Sequence, residues 1–160
     1  MLAVRLICVG KMREKYFIEA FNEYAKRLQA YCRFECVELA EQRLSEAPSE
    51  GEIRAALSRE ASEIMKNIPQ DAYVTALCVE GKQMPSEKMG RLISERENSG
   101  RPKLCFIVGG SFGMDEAVKR RADMKLSMSE MTFPHHLARV MLAEQIYRGF
   151  KINEGSRYHK

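Results

Sequence analysis

Short apolar runs alternate with amphipathic helical stretches along this chain, and the alternation limits the folds that it can adopt. A buried parallel strand is apolar along its whole length because helices cover both faces of its sheet, whereas a surface helix shows one apolar stripe. The strand pattern occurs in Leu2–Val9, Arg33–Ala40, Ala72–Val79, Lys103–Val108 and Lys125–Met128. The helical pattern occurs in Glu14–Ala30, Glu52–Ile68, Ser86–Asn98, Asp115–Arg121 and His135–Ile152. This alternation predicts an α/β fold with a parallel sheet flanked by helices.

The chain has 160 residues, a length that predicts a single domain over 1–160. No apolar run approaches the ~20 residues of a membrane span. The apolar start, Met1–Gly10, lacks a basic leader and a small-residue cleavage site, so it is interpreted as a strand and not as a signal segment. We therefore expect a cytoplasmic protein without a membrane partner.

The five cysteines are odd in number and scattered in spacing. Both properties argue against a disulfide framework and against a zinc site, and we expect no metal. Cys8, Cys78 and Cys105 lie inside apolar runs, where a free cysteine behaves as a small hydrophobic residue.

Three predicted strand ends carry features that suit a ligand, and in parallel sheets ligands bind beyond the carboxyl ends of strands. They are the end after Leu77, the glycine loop Gly109–Gly113, and the loop Met128–Phe133. Glycines let the backbone approach a ligand and expose amide donors. The glycine loop lacks the spacing of a dinucleotide fingerprint and the lysine of a P-loop, so alone it fits a ligand loop and a tight turn equally. The second loop offers hydroxyls and an apolar slot for an adenine ring, although its residues also fit helix capping and core packing.

The C-terminal part of the chain concentrates positive charge. From Phe133 onward there are five Lys and Arg against two Glu, together with all three His, in a chain of net charge +4. A polyanion would meet this end first. The last helix has more than one apolar stripe, as a core helix or a dimer interface does. Its Glu144 and Arg148 fit an ordinary surface ion pair of little worth. The tail Glu154–Lys160 fits a frayed end, yet it holds a cation, an aromatic ring and an imidazole suited to RNA.

Four motifs occur in order along the chain, and together they resemble one family. They are Phe106-Ile107-Val108-Gly109-Gly110-Ser111-Phe112-Gly113, Leu126-Ser127-Met128-Ser129 with Met131-Thr132-Phe133-Pro134-His135, Glu144-Gln145-Ile146-Tyr147-Arg148, and the terminal Tyr158-His159-Lys160. The chain resembles the ribosomal RNA large subunit methyltransferase H family of the SPOUT superfamily. The resemblance extends from Val4-Arg5-Leu6 to the last residue.

This resemblance implies a SPOUT fold with a deep C-terminal trefoil knot, a homodimer, and S-adenosylmethionine as cofactor. The implied reaction is methylation at N3 of a pseudouridine in helix 69 of 23S rRNA, on the assembled ribosome. The cofactor residues that it implies are Leu77, Gly109, Met128, Ser129, Glu130, Met131, Thr132 and Phe133. Two positions depart from the family pattern: Glu130 stands where many relatives have Lys, and Arg157 where a Pro often precedes the Tyr.

Our hypothesis for the site takes His159 and Tyr158 as catalytic residues, and His135, Arg139, Arg148 and Lys160 as substrate-binding residues. We expect direct methyl transfer, with His159 as the base that removes the N3 proton and Tyr158 orienting the uracil. The cations would hold phosphates or stabilise charge on the uracil oxygens. Two other classes stay open at this point. One is a non-catalytic ribosome-binding factor, and the other is a doubly wound nucleotide-binding enzyme that uses the glycine loop for phosphate.

Overall fold

The computed structural model describes all residues, 1–160, and consists of five strands, five α-helices and a final 3-10 helix. None of the helices is both long enough and apolar enough to cross a membrane. The elements in chain order are β1 Ala3–Val9, α1 Lys15–Leu28, β2 Arg33–Leu39, α2 Glu50–Asn67, β3 Tyr73–Lys82, α3 Ser86–Glu97, β4 Lys103–Val108, α4 Glu116–Arg121, β5 Met124–Leu126, α5 His135–Asn153 and the 3-10 helix Arg157–His159.

All five strands are parallel and form one sheet in the order β2-β1-β4-β3-β5. The predicted α/β class, with a parallel sheet flanked by helices, is confirmed. Because the strands are parallel, all their carboxyl ends lie at the same edge of the sheet. The loops that follow β1, β3, β4 and β5 therefore lie near one another.

The two faces of the sheet pack against different helices, as β1 illustrates. Val4, Leu6 and Cys8 of β1 pack in one core cluster with residues of α1, α3 and α5. Ile7 and Val9, which point the opposite way, belong to a second cluster with residues of α2 and α4. Successive side chains of a strand alternate between faces, so a strand that is apolar at both phases must be covered on both sides.

Helix α2 begins two residues earlier than predicted, at Glu50 and not at Glu52. Ser49 accepts a hydrogen bond from the backbone N–H of Glu52 (3.1 Å), and the Glu52 carboxylate accepts one in return from the N–H of Ser49 (3.5 Å). This reciprocal cap satisfies two donors that the start of a helix otherwise leaves unpaired. It therefore outweighs the turn tendency of Gly51, which lies inside the first turn.

The edge formed by β3 and β5 is irregular. β3 runs to Lys82, three residues beyond the predicted end at Val79, and its register with β5 shifts between Leu77 and Lys82. A side-chain carbon at Gly81 would lie 2.7 Å from the Lys125 carbonyl carbon, so only glycine fits where the two segments pass. The trefoil threading implied by the resemblance stays a prediction, with which this close passage agrees.

Candidate active site

A cavity of about 430 Å³ opens at the carboxyl ends of β3, β4 and β5. Its walls include most of the residues that the sequence proposes for the cofactor: Leu77, Gly109, Met128, Ser129, Met131, Thr132 and Phe133. Glu130 is exposed and does not line the cavity. The three strand ends that the sequence singles out thus meet in one place.

The glycine loop after β4 is held in a tight turn. The N–H of Gly113 donates to the carbonyl of Gly110 (3.0 Å), and Gly113 has a φ of +84°. A side-chain carbon at Gly109 would collide with the carbonyl oxygen of Gly113. Larger residues at these positions would force the turn open, so the backbone can form the cavity wall only because they are glycines.

Glu41, just after β2, fixes this loop from the side. Its Oε1 accepts a hydrogen bond from the backbone N–H of Ser111 (2.8 Å). The same oxygen would lie 2.6 Å from a side-chain carbon at Gly110, so this glycine leaves room for the carboxylate. Sequence reasoning missed Glu41, because it lies in a polar loop far from Ser111 along the chain and no periodic pattern marks it.

The loop Met128–Phe133 combines apolar side chains with free backbone donors. The Ser127 hydroxyl donates to the carbonyl of Ser129 (2.8 Å), which shapes the turn. The amides of Met128, Thr132 and Phe133 make no hydrogen bond within the protein. Apolar walls with a few unpaired polar groups are typical of sites for small organic ligands.

His135 begins α5 and also lines the cavity. Burial lowers the pKa of His135 from its usual 6.5, and the neighbouring His136 lowers it further. The imidazole is therefore neutral at pH 7 and offers one donor and one acceptor to the cavity.

Arg139, which the sequence proposes for substrate binding, lies inside the protein core. Its side chain is fully buried, and its guanidinium donates to Glu38 (2.6 Å) and to the carbonyl of Gly10 (2.9 Å). A buried guanidinium with these partners does not reach a phosphate in solvent. In this conformation Arg139 holds the loop after β1, and its predicted role in binding substrate stays a prediction.

The C-terminal tail is folded against α5. The Tyr158 hydroxyl donates to Glu144 (3.0 Å), and Arg148 donates to the same carboxylate (2.6 Å) while its guanidinium lies 4.8 Å from the centre of the Tyr158 ring. Glu144 and Arg148 are thus part of a tail-binding network and not an isolated surface pair. Burial raises the pKa of Tyr158, and its hydrogen bonds raise it further, so the phenol keeps its proton.

His159 lies between two charged partners. Its Nδ1 is 3.2 Å from Nη1 of Arg148, and its Nε2 is 2.9 Å from the Glu87 carboxylate. A guanidinium can only donate, so Nδ1 is the acceptor and Nε2 carries the hydrogen that it donates to Glu87. The hydrogen bond from His159 lowers the pKa of Glu87. In this arrangement Nδ1 is the one nitrogen of His159 that can accept a proton, and it already accepts a hydrogen bond from Arg148.

The proposed site residues therefore form two groups. The cofactor residues other than Glu130 surround the cavity together with His135. Arg148, Tyr158 and His159 lie outside its lining, and Lys160 is exposed at the chain end. A second cavity of about 420 Å³ shares Ser127 and Met128 with the first and extends to Glu144. The two groups are adjacent but do not meet within this chain.

The fold and the site define an α/β protein with a cavity, suited in size and lining to a small organic ligand, beyond the carboxyl ends of its parallel strands. A family model described as predicted SPOUT methyltransferase matches residues 2–159. Ribosomal RNA large subunit methyltransferase H of Streptococcus pyogenes serotype M5 is 45% identical over 159 residues, which cover 99% of this chain and 100% of that protein. The same enzyme of serotype M12 matches with equal identity and coverage. The chain therefore belongs to the SPOUT methyltransferases and, among them, to the ribosomal RNA large subunit methyltransferase H family.

Solved structures with low sequence identity share the fold. One is a probable methyltransferase from Bordetella pertussis, with a TM-score of 0.56 and 12% identity over 92% of this chain and 94% of that chain. Another is a probable methylase family protein from Haemophilus influenzae, with a TM-score of 0.54 and 11% identity over 100% of this chain and 72% of that chain. These two structures support the α/β architecture alone.

Proposed function

We propose that this protein transfers a methyl group from S-adenosylmethionine to ribosomal RNA of the large subunit. The proposed acceptor is N3 of a pseudouridine in helix 69 of 23S rRNA, on the assembled ribosome in the cytoplasm. The observation that carries the proposal is the single cavity lined by every expected cofactor residue except Glu130. Membership in a methyltransferase family supports the reaction type.

The residues around the cavity fit a nucleoside that carries a sulfonium group. The unpaired amides of Met128, Thr132 and Phe133 would donate to the polar edge of the nucleoside base. Leu77 and Met128 would cover its faces, and the glycine loop would let the backbone approach the sugar. When bound, S-adenosylmethionine supplies an electrophilic methyl group. No cluster of three metal-ligating side chains occurs in the structure.

Removal of the N3 proton is the step for which this chain must supply a base. We assign it to His159, with Tyr158 orienting the uracil ring and with Arg148 and Lys160 binding phosphates. Arg148 donates to Nδ1 of His159 in the free protein. An RNA phosphate that draws Arg148 away would free this nitrogen, so substrate binding and activation of the base would occur together.

A second copy of the chain would bring the two groups of residues together. The tail lies outside its own cavity, and the groove beside it is lined by exposed or half-buried apolar residues such as Met84 and Met141. We propose a homodimer in which each tail completes the site of its partner. Symmetric pairing of one such surface is the commonest route to a soluble oligomer.

Deletion of Tyr158–Lys160 tests the assignment of the tail. We expect methyl incorporation into ribosomes to be abolished, while calorimetry shows S-adenosylhomocysteine binding within about twofold of the parent protein. The matched control is Arg157→Ala, because this side chain lies in the same 3-10 helix, is exposed, and makes no hydrogen bond or ion pair. Activity that survives the deletion would refute the role of the tail.

Two measurements separate the proposed reaction from its alternatives. Mass mapping of large-subunit rRNA from cells that lack this protein should show the loss of one methyl group from the helix 69 pseudouridine, restored by the gene in trans. Calorimetry with S-adenosylmethionine should show binding. Folded protein that gives no heat would favour a non-catalytic ribosome-binding factor.

A further inference from the structure

A short basic segment lies between β1 and the first turn of α1. We call Gly10–Tyr16 the basic loop. Its Lys11, Arg13 and Lys15 are exposed, and Tyr16 exposes 66% of its surface. A ring this exposed is accessible for stacking on a nucleic-acid base.

The backbone of the basic loop is anchored from beneath. Arg139 donates to the carbonyl of Gly10 (2.9 Å), and Glu38 accepts from the N–H of Met12 (3.3 Å). At the other end of the loop, Nδ1 of His136 lies 3.0 Å from the Glu14 carboxylate. The loop is therefore fixed in place while its cationic side chains extend into solvent.

The positive charge of the basic loop is not neutralised within the protein. Lys11 and Arg13 make no side-chain hydrogen bond or ion pair, and Lys15 has one loose partner, Glu19, at 3.9 Å. The neighbouring carboxylates are engaged elsewhere: Glu38 by Arg139, Glu14 by His136, and Glu41 by the amide of Ser111. Unpaired cations around an exposed ring are the combination that binds phosphates and stacks on bases.

The basic loop also flanks the cavity. β1 pairs with β4, so the residues after the two strands are neighbours. A side-chain carbon at Gly110 would lie 3.2 Å from Val9, and one at Gly10 would lie 4.0 Å from Nε2 of His135, which lines the cavity. A polymer whose reacting base enters the cavity would pass its backbone over this loop.

We infer that the basic loop is an RNA-contact surface, in which Lys11 and Arg13 neutralise phosphates and Tyr16 stacks on an unpaired base next to the one in the cavity. The inference deepens the proposed function and rests on it. It gives the enzyme an RNA surface formed by the N-terminal part of the chain, in addition to the tail.

The test is co-sedimentation with purified 70S ribosomes in the presence of S-adenosylhomocysteine, at salt concentrations from roughly 50 to 200 mM. Log affinity falls as log salt rises. In the double variant Lys11→Ala/Arg13→Ala, the loss of two phosphate contacts should make this slope shallower by about 1.4 to 1.8. If the two proteins bind equally at 1 M salt, this corresponds to an affinity about 25- to 60-fold weaker at 0.1 M. Calorimetric binding of S-adenosylhomocysteine should not change, which shows that the variant is folded.

The matched control is Arg33→Ala. Arg33 is also exposed and its side chain has no partner. It is the first residue of β2, so it lies where the parallel strands begin, at the end of the sheet away from the cavity. Its removal should leave the slope unaltered. Tyr16→Phe should bind like the parent protein, whereas Tyr16→Leu should bind about tenfold more weakly, because only the former keeps a ring for stacking.

The outcomes separate this inference from the proposed function. If the parent protein sediments with ribosomes and the double variant keeps its slope and affinity, the basic loop is not an RNA surface, although the methyltransferase proposal stands. If Arg33→Ala changes the slope by half as much as the double variant or more, the effect reflects general charge and the inference is also wrong. If the parent protein neither binds ribosomes nor methylates them, the proposed function fails together with the inference.

Discussion

Arg139 is a charged residue inside the core, and its structural role follows from its two hydrogen-bond partners. It holds Gly10 and Glu38, and through them the loop after β1. We expect Arg139→Met to lower the free energy of unfolding by about 2 to 3 kcal/mol, below the usual cost of breaking a buried pair because Glu38 is partly exposed. Urea unfolding at pH 7 measures this loss.

Arg33→Met is the matched control for Arg139→Met, since it removes an exposed guanidinium that has no partner, and its effect should stay within about 0.5 kcal/mol. Arg139→Met should also weaken ribosome binding, because it frees the basic loop. An Arg139→Met protein as stable as its parent would show that this ion pair does not hold the loop.

At the scale of single residues, the sequence predicted which polar and charged side chains the site region contains, but not which of them are exposed to a ligand. His135 and Arg139 are four residues apart on α5 and so share one helical face, which lies at the carboxyl ends of the strands. The sequence could not show that Arg139 is buried, because α5 is apolar on more than one side and has no clear outer face. Glu41 was missed, since its partner Ser111 is 70 residues away.

At the scale of elements, α3 and α5 cross closely at Gly149. A side-chain carbon there would lie 2.7 Å from Cδ1 of Ile93, 3.1 Å from Cγ of Met89 and 3.3 Å from the backbone nitrogen of Gly90. We expect Gly149→Ala to destabilise the protein by about 1 to 2 kcal/mol, because overpacking outweighs the better helix propensity of alanine. Thermal or urea unfolding measures the change.

Gly100→Ala is the control for Gly149→Ala, because no atom lies within 4 Å of the added carbon in that loop. It should be neutral or slightly stabilising. Equal stability of the two variants would mean that α3 and α5 are not packed as closely as these distances indicate.

All five strands and all five α-helices were predictable from the sequence, because apolar periodicity is a local property of the chain, whereas the final 3-10 helix was not predicted. The ends were less predictable. α2 starts early because Ser49 and Glu52 cap each other, and β3 runs on to Lys82 because the segment after β5 lies against it, with Ser127 N–H donating to the carbonyl of Lys82 (3.0 Å). The first effect has a local signature, whereas the second depends on a segment more than 40 residues away.

At the scale of the whole molecule, the separation of tail and cavity predicts that active sites are shared between protomers. One variant, Ala138→Phe, fills the cavity; the other lacks Tyr158–Lys160. Each alone should be inactive. If tails act across a dimer, an equimolar mixture that has exchanged subunits should recover about a quarter of the parent activity, since half of the dimers are mixed and each has one intact site.

Tails that act on their own protomer would leave that mixture inactive, because no protomer then has both an intact tail and an open cavity. Sedimentation of the parent protein as a monomer would contradict shared sites directly. Circular dichroism of Ala138→Phe shows whether it is folded, and a mixture of the parent protein with the tail-deleted chain provides the reference activity.

The sequence by itself determined the α/β class, the order of the elements, and the three loops that form the cavity, because all three depend on local periodicity or on which residues follow a strand. The tertiary structure decided which distant residues meet: Glu41 with Ser111, Arg139 with Gly10, and Glu87 with His159. The physical reason is that such contacts depend on the strand order β2-β1-β4-β3-β5 and on which helix covers which face. No local pattern encodes that arrangement, since it follows from the packing of the whole chain.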